Sequence, residues 1–206
     1  MTEMITIYEV GPRDGLQNES TLIPTPDKIA LIDALSKTGL RKIEATSFVS
    51  PKWVPQMGDA ADVMAGITRA TDVDYAVLTP NMRGLQAALD ANADEVAIFG
   101  SASESFSQKN LNCSIAESIE RFAPVAKAAH KADVKLRGYV SCITDCPYEG
   151  TIKPAAVLDV VARLVEQGCY EISLGDTIGK ATPAAIDRLL STLLSAFPAT
   201  LFAGHF

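Results

Sequence analysis

The chain alternates short apolar runs rich in β-branched residues with longer Ala- and Leu-rich amphipathic stretches. Runs of the first kind are typical of buried strands, and stretches with apolar residues three and four positions apart are typical of helices. We predict strands over residues 5–10, 42–46, 73–78, 95–99, 134–140, 170–174 and 200–203. We predict helices over residues 25–37, 82–91, 114–132, 154–167 and 182–196.

Several of the predicted helices carry recognisable signals at their ends. Thr25 and Thr182 each precede a proline, the arrangement of an N-cap residue followed by proline at the first helical position. Gly39, Gly66 and Gly168 lie where helical patterns stop. Strands and helices alternate without hairpin dipeptides, which predicts a parallel sheet built from βαβ units.

The spacing of the strand starts decides between two parallel architectures. One strand begins about every 33 residues, and a (β/α)₈ barrel of such units needs on the order of 250 residues. The chain has 206 residues, so an open α/β sheet and an incomplete barrel both fit. We favour an α/β fold, a parallel (β/α)₈ TIM barrel that is C-terminally incomplete in this chain, with about seven strands. No composition shift marks a second domain. Residues 1–206 are therefore predicted to form a single TIM-barrel catalytic domain that lacks its last βα unit or units and its C-terminal segment.

The charge composition argues against two classes of binding partner for this domain. The net charge is −7, with 18 basic and 25 acidic residues and no Lys/Arg cluster, so we expect neither nucleic acid nor an anionic membrane as a partner. The N-terminus has no charged leader, and no apolar run reaches about 18 residues, which predicts a cytoplasmic protein without a membrane span.

The four cysteines are too few for a disulfide scaffold and include no C-x-x-C pair. A structural zinc site and a thioredoxin-like motif are therefore not expected. Nothing near Cys142 and Cys146 in the sequence indicates a lowered thiol pKa, and we expect both to be structural thiols.

Polar residues concentrate after the predicted strands, where a parallel barrel carries its catalytic face. The candidates, in chain order, are Arg13, Asp14, Gln17, Glu44, Ser47, Ser141, Ser173, Asp176, Thr177 and His205.

Each of these candidates also has a purely structural interpretation. Asp14 can bind a hard divalent cation and Arg13 can neutralise an oxyanion, but the pair also fits an Asx-type turn with a surface ion pair. His205 is either a metal ligand or a packed side chain. A carboxylate at Glu44, inside an apolar strand, needs a partner, which Arg13 or Arg137 could supply. The segment 175–179 either binds substrate oxygens or shapes the turn.

Longer motifs resemble one family. Residues 11–19 (GPRDGLQNE), 46–59 (TSFVSPKWVPQMGD), 138–142 (GYVSC), 146–150 (CPYEG) and 173–179 (SLGDTIG) are similar to the signatures of 3-hydroxy-3-methylglutaryl-CoA (HMG-CoA) lyases, within the DRE-TIM superfamily. Leu16 and Asn18 distinguish the first motif from that of the related isopropylmalate and homocitrate synthases.

The resemblance implies a metal-dependent lyase that cleaves (S)-HMG-CoA to acetyl-CoA and acetoacetate. It implies that Asp14 and His205 bind Mg²⁺ or Mn²⁺, that Arg13 polarises the thioester carbonyl and that Glu44 supports the region of the metal and Arg13. The implied catalytic residues are Arg13, Asp14, Glu44 and His205. The implied substrate-binding residues are Arg13, Gln17, Ser47, Ser141, Ser173, Asp176 and Thr177. The partner is an acyl-CoA, and we expect a homo-oligomer, in the first place a dimer.

The chain departs from the family pattern at its end. Phe206 corresponds to the middle residue of the family's His-x-His metal pair, so the second histidine, an Asn ligand and the loop with the catalytic cysteine lie outside this sequence. We expect the 206-residue chain itself to be inactive. Two other functions stay open: a related Claisen-type synthase or aldolase, and a non-catalytic shortened barrel that binds an acyl-CoA.

Overall fold

The computed structural model describes residues 5–206. Residues 1–4, on which the expectation of no charged leader rests, lie outside this range. The contacts of the chain divide it into two compact units, Met1–Ala97 and Ile98–Phe206, and each is described here by itself.

Strands and helices alternate along both units, as the hydrophobic pattern predicts. The strands are β1 (Tyr8–Glu9), β2 (Lys42–Ser47), β3 (Asp74–Leu78), β4 (Glu95–Ser101), β5 (Lys135–Ser141), β6 (Asp145–Cys146), β7 (Gly150–Thr151), β8 (Glu171–Gly175) and β9 (Phe202–His205). The helices are α1 (Thr25–Leu35), α2 (Ala60–Gly66), α3 (Met82–Asp90), α4 (Glu104–Leu111), α5 (Ile115–Lys131), α6 (Pro154–Glu166) and α7 (Pro183–Leu194).

In the first unit, β1, β2, β3 and the start of β4 pair in this order, and every pairing is parallel. The register joins Ile43 to Tyr75 and Val77 to Val96, all of which are fully buried. A register shift between Glu44 and Thr46 interrupts β2 near its carboxyl end. Because parallel strands point their carboxyl ends the same way, this end of the unit collects the loops that carry the polar candidates.

In the second unit, β5, β8 and β9 pair in this order and are again parallel. Helix α5 begins at the capping box of Ser114 and Glu117, and α7 begins at the predicted N-cap Thr182. The register brings Tyr139 beside Ser173 and Gly175 beside His205. The predicted strand–helix alternation is therefore confirmed in the second unit. The candidate residues of this unit are Ser141, Ser173, Asp176, Thr177 and His205.

Four local features differ from the sequence prediction, besides the N-cap of α1, which is Pro24 and not the predicted Thr25. The strand predicted over residues 5–10 is only Tyr8–Glu9, because Ile5 and Ile7 are exposed and pairing begins at Tyr8. No range was predicted for helices α2 and α4, which are short, with seven and eight residues, although Gly66 was predicted to mark a helix end and is the last residue of α2. Strands β6 and β7 form a small antiparallel hairpin although the segment between them has no standard hairpin dipeptide. The fourth feature, a π-helical turn at residues 11–15, belongs to the candidate site.

None of the helices in residues 5–206 combines the length and the apolar character needed to cross a bilayer.

Candidate active site

In the first unit, a single π-helical turn presents the Arg13-Asp14 pair. The turn spans Gly11–Gly15, with Pro12 near its start, and the backbone N–H groups of Arg13 and Asp14 both donate to the carbonyl of Val10 at 3.1 and 2.7 Å. The sequence alternative, an Asx-type turn with a surface ion pair, is wrong, because Arg13 is buried within this turn. π-turns occur frequently at functional sites, which agrees with the placement of the candidates here.

The Arg13 guanidinium lies between two carboxylates. Its Nε and Nη2 lie 2.8 and 2.7 Å from Glu44 Oε2, and its Nη1 lies 2.5 Å from Asp14 Oδ1. Glu44 is completely buried, whereas the Asp14 side chain is 35% exposed. A guanidinium held this way cannot rotate freely, so its position is fixed before any substrate arrives.

These contacts identify the partner of the buried Glu44 carboxylate. The sequence left Arg13 and Arg137 as alternatives, and the structure assigns Arg13 to Glu44. Arg137 instead donates to Glu171 Oε1 at 2.6 Å, within the second unit. Burying a carboxylate is costly without a paired cation, so the Arg13–Glu44 pair explains why an acidic residue is tolerated in β2.

Gln17 lies beside a cavity of about 400 Å³ in the first unit. Exposed Trp53 and buried Gln56 line the same cavity. Gln56 accepts a hydrogen bond from the Ile23 N–H and donates to the carbonyl of Thr21, which fixes the loop that follows Gln17. The cavity therefore has a rigid polar wall next to the Arg13 turn.

Ser47, predicted to bind substrate, is fully buried, and its hydroxyl donates to the carbonyl of Leu78 at 3.4 Å. In the second unit, Ser173 is also buried, whereas Ser141 is half-buried and Thr177 is exposed. Ser141 and Thr177 are therefore accessible to a ligand in this structure, and Ser47 and Ser173 are packed inside. The substrate role of all four residues stays a prediction.

Asp176 shapes the turn after β8. Its carboxylate accepts hydrogen bonds from the N–H groups of Lys180 and Ala181 at 3.2 and 2.8 Å, and its own N–H donates to the His205 carbonyl at 2.9 Å. The turn-shaping interpretation of this segment is thus confirmed, and a substrate contact of Asp176 stays a prediction.

His205 is half-buried at the end of β9, with its ring 6.3 Å from the ring of Tyr139 in an edge-on arrangement. The other histidine, His130, lies within 2.9 Å of the Gln167 carbonyl through Nε2, and that contact packs α5 rather than building a site. Asp14 belongs to the first unit and His205 to the second, so the proposed sharing of one metal ion by the two stays a prediction.

Within residues 5–206, no group of three or more His, Cys, Asp or Glu side chains is arranged to hold a metal. The Asp14 carboxylate nevertheless suits a hard divalent cation, because it is an accessible oxygen donor. A second carboxylate, that of Glu44, lies on the other side of the Arg13 guanidinium. The chemistry of the residues present is therefore consistent with Asp14 as a ligand of Mg²⁺ or Mn²⁺.

A second cluster of polar groups, around Cys146, has no signal in the sequence pattern. The buried Cys146 Sγ accepts hydrogen bonds from Ser103 Oγ at 3.0 Å and from the Tyr148 N–H at 3.4 Å. Burial raises the pKa of the Cys146 thiol, but the hydrogen bonds from Ser103, from the N–H groups of Tyr148 and Glu149 and from the Cys142 side chain together lower this pKa by more. The expectation that nothing nearby lowers the thiol pKa is wrong, because the donors are backbone groups and a serine distant in sequence.

Comparison with known proteins places these features in one family. The sequence profile of the HMGL-like family matches residues 4–206. Over 203 residues the chain is 59% identical to the mitochondrial hydroxymethylglutaryl-CoA lyase of Bos taurus, covering 98% of this chain and 62% of the relative. The chain therefore spans about three-fifths of the length of that curated relative.

Solved structures give the same result. The hydroxymethylglutaryl-CoA lyase of Pseudomonas aeruginosa superimposes with a TM-score of 0.96 at 53% identity, over 98% of this chain and 67% of that one. An HMG-CoA lyase of Acinetobacter baumannii in complex with coenzyme A and 3-methylmalate superimposes with a TM-score of 0.94 at 37% identity, over 100% of this chain and 68% of that one. These superpositions confirm the predicted fold class, the parallel (β/α)₈ barrel, incomplete in this chain. The chain belongs to the HMGL-like family.

Proposed function

We propose that this chain contributes the central catalytic residues of a divalent-metal-dependent lyase that cleaves (S)-HMG-CoA to acetyl-CoA and acetoacetate. The observation that carries the proposal is the Arg13 guanidinium, buried and held by Glu44, next to the accessible Asp14 carboxylate. The identity to HMG-CoA lyases supports the same conclusion. Acyl-CoA as the substrate class is supported by the A. baumannii relative, whose structure contains coenzyme A.

Arg13 is the proposed electrophile. When the bond between C2 and C3 of the substrate breaks, its electron pair moves into the thioester group and produces an enolate with negative charge on the carbonyl oxygen. A guanidinium that Glu44 already holds in place can stabilise this charge without reorganising. The loss of one such donor typically costs about 10²–10³ in rate.

Asp14 and His205 are the proposed metal ligands, as the family resemblance implies. A bound Mg²⁺ or Mn²⁺ would lower the pKa of the tertiary C3 hydroxyl and fix the orientation of the substrate. Asp14 and His205 are also the candidates for the base that removes the hydroxyl proton. Glu44 keeps Arg13 in position and takes no part in proton transfer.

The remaining predicted residues would hold the substrate. Gln17 is available at the cavity next to the Arg13 turn, and Ser141 and Thr177 are accessible in the second unit. Asp176 would act mainly by fixing the turn that carries Thr177.

The deciding experiment is an assay of acetoacetate release from (S)-HMG-CoA by the full-length gene product, with and without Mg²⁺. We expect Arg13→Gln to lower the rate by at least about a hundredfold. Arg188→Gln, at an exposed arginine on α7, is the matched control and should keep the wild-type rate. An Arg13→Gln variant with more than about a tenth of the wild-type rate would contradict the role, since that corresponds to under 1.4 kcal/mol of stabilisation.

The same preparation separates the alternatives. A Claisen-type synthase would instead condense acetyl-CoA with a 2-oxo acid, and a non-catalytic barrel would bind acetyl-CoA without turnover. Light scattering at several concentrations tests the proposed dimer. Cell fractionation tests the proposed cytoplasmic location against a mitochondrial one, the location named for the bovine relative.

A further inference from the structure

A buried lysine that the proposed mechanism does not use lies near the start of α1. Lys28 is 4% exposed, and its Nζ donates to the Gln56 carbonyl and, at 2.7 Å, to Asp59 Oδ1. Lysine is rarely buried to this degree unless a pairing compensates for the lost hydration. We propose that Lys28 is a positioning residue for the substrate. Together with Gln56 and Asp59 it forms a loop clamp, which holds the segment 17–20 in one conformation beside the cavity. This inference rests on the proposed function.

The carboxylate of the loop clamp does not take the local role that its position suggests. Asp59 is the N-cap residue of α2, where an aspartate normally accepts a hydrogen bond from an N–H of its own helix. Within residues 5–206 the Asp59 side chain makes no such capping bond, and its Oδ2 accepts from Thr25 Oγ1 at 2.7 Å. Thr25 and Lys28 both belong to α1, so the Asp59 carboxylate ties the start of α2 to the start of α1.

The loop that joins the Arg13 turn to α1 is held by the Gln56 side chain. Its Nε2 donates to the carbonyls of Glu19 and Thr21 at 3.4 and 2.9 Å, and its Oε1 accepts from the Ile23 N–H at 2.9 Å. Gln56 is itself buried, and its own carbonyl accepts from Lys28. One amide therefore holds this loop, and Lys28 fixes the backbone that carries the amide.

The segment 17–20 lies between two anchors. At its start, Asn18 Nδ2 donates to the Asp14 carbonyl at 2.9 Å, and at its end Gln56 holds the Thr21 carbonyl. All four residues of the segment line the cavity. A loop that is ordered before the ligand arrives avoids the entropy loss that binding would otherwise impose. Ordering the backbone of a single residue on binding corresponds to about a tenfold loss of affinity.

The loop clamp should act on substrate binding more than on the chemical step. Glu44 holds the Arg13 guanidinium independently of the clamp, through Nε and Nη2. Loss of Lys28 therefore leaves the proposed electrophile in place and releases the loop that lines the cavity. An interaction that stabilises the bound substrate and the transition state equally changes KM and leaves kcat unaltered.

Steady-state kinetics of the full-length gene product, with (S)-HMG-CoA and saturating Mg²⁺, test the positioning role. Lys28→Met removes the ammonium and keeps an unbranched side chain that favours a helix. We expect KM to rise at least about tenfold and kcat to change by less than about threefold. Lys42→Met is the matched control, because Lys42 pairs with the buried Glu95 at 2.9 Å and lies at the amino end of β2. It should leave KM and kcat unchanged.

A double variant separates positioning from folding. Lys28→Met leaves the Asp59 carboxylate without its ammonium partner, which lowers stability. In Lys28→Met/Asp59→Asn this unpaired charge is removed as well, so the double variant should melt at a higher temperature than Lys28→Met. Because the contact between α1 and the Gln56 carbonyl stays broken, its KM should remain raised. A KM that returns to the wild-type value together with the melting temperature would show that Lys28 acts through stability alone, and would overturn the proposal.

Hydrogen exchange of the same full-length proteins measures the loop clamp without reference to activity. In Lys28→Met, peptides that cover residues 16–24 and 51–58 should exchange at least about tenfold faster than in the wild type, because local opening becomes easier where buried hydrogen bonds are lost. A peptide that covers β3, residues 74–78, should exchange at the wild-type rate. Lys42→Met should leave the first two peptides unchanged.

The outcomes distinguish this inference from the proposed function. An active wild-type enzyme whose KM is the same in Lys28→Met, or unchanged exchange in residues 16–24, would overturn the positioning role and leave the lyase activity standing. A wild-type protein that releases no acetoacetate would overturn the proposed function and, with it, the link between the loop clamp and a substrate.

Discussion

The buried pair of Arg13 and Glu44 makes a quantitative prediction about stability. The side chain of Arg13 is 7% exposed and that of Glu44 is 0% exposed. Arg13→Gln leaves the Glu44 and Asp14 carboxylates without the guanidinium between them. Removing one partner of a buried ion pair typically costs about 3–5 kcal/mol, and we expect a loss in this range.

Substitution of Glu44 should cost less free energy of unfolding than substitution of Arg13. Glu44→Gln removes one carboxylate but leaves Arg13 beside Asp14 at 2.5 Å. We expect this variant to lose only about 1–3 kcal/mol, the usual cost of a broken buried hydrogen bond. The double variant should lose less than the sum of the two single variants by at least about 1 kcal/mol, because the residues are in direct contact.

The measurement is urea unfolding followed by circular dichroism, in buffer with a metal chelator so that ion binding does not contribute. Arg69→Gln is the control, since Arg69 pairs with Asp94 at 3.3 Å with side chains 32% and 40% exposed. An exposed pair of this kind contributes about 0–1 kcal/mol. A loss for Arg13→Gln no larger than that for Arg69→Gln, or a double variant that is strictly additive, would show that the buried pair does not contribute the expected free energy.

Three further predictions test other parts of the structure. Saturating Mg²⁺, at about 100 times its dissociation constant, should stabilise the full-length protein by about 2.7 kcal/mol, and Asp14→Asn should abolish this shift in thermal melting. Hydrogen bonds from Ser114 hold the pKa of the Glu117 carboxyl below its ordinary value. The capping box should therefore stabilise the protein above the unfolded-state pKa and be lost as the pH falls through the folded-state value, and Glu117→Gln should flatten this part of the pH–stability curve. Gln56→Ala should speed hydrogen exchange at the Ile23 amide by at least about tenfold, because the buried acceptor of that N–H is removed.

Much of the fold follows from local signals in the sequence. Helices α5 and α7 were predicted within a residue or two, because their apolar residues repeat along one face and, for α7, Thr182 before a proline marks the start. The strand ends that carry Arg13 and His205 were predicted from the same alternation. These features depend on residues within a few positions of each other, which a single sequence displays.

The features that were missed depend on distant residues. Glu44 had two candidate cations, and only the packing of the π-turn after β1 against β2 decides that Arg13, at a separation of 31 residues, is its partner. Ser103 lies 43 residues before Cys146, and the other donors to that sulfur include backbone groups that every residue possesses. The π-turn at residues 11–15 likewise has no side-chain signature that separates it from an ordinary turn.

A second buried ion pair in the first unit separates structural charge from catalytic charge. Lys42 Nζ lies 2.9 Å from Glu95 Oε2, and Tyr8 donates to Glu95 Oε1 at 2.7 Å, so Glu95 is as completely buried as Glu44. This pair lies at the amino ends of the strands, opposite the end where parallel α/β proteins bind substrates. Loss of either cation therefore has the same physical consequence for folding, an uncompensated carboxylate in the interior. Arg13→Gln and Lys42→Gln should therefore destabilise the protein to a similar degree. Only Arg13 lies at the end of the strands where an enolate could form. The chemical step should therefore slow in Arg13→Gln and not in Lys42→Gln. If the two variants have similar free energies of unfolding and only Arg13→Gln is slower, the Arg13 charge acts in catalysis. If both variants lose the same fraction of the lyase rate, the role of Arg13 is structural.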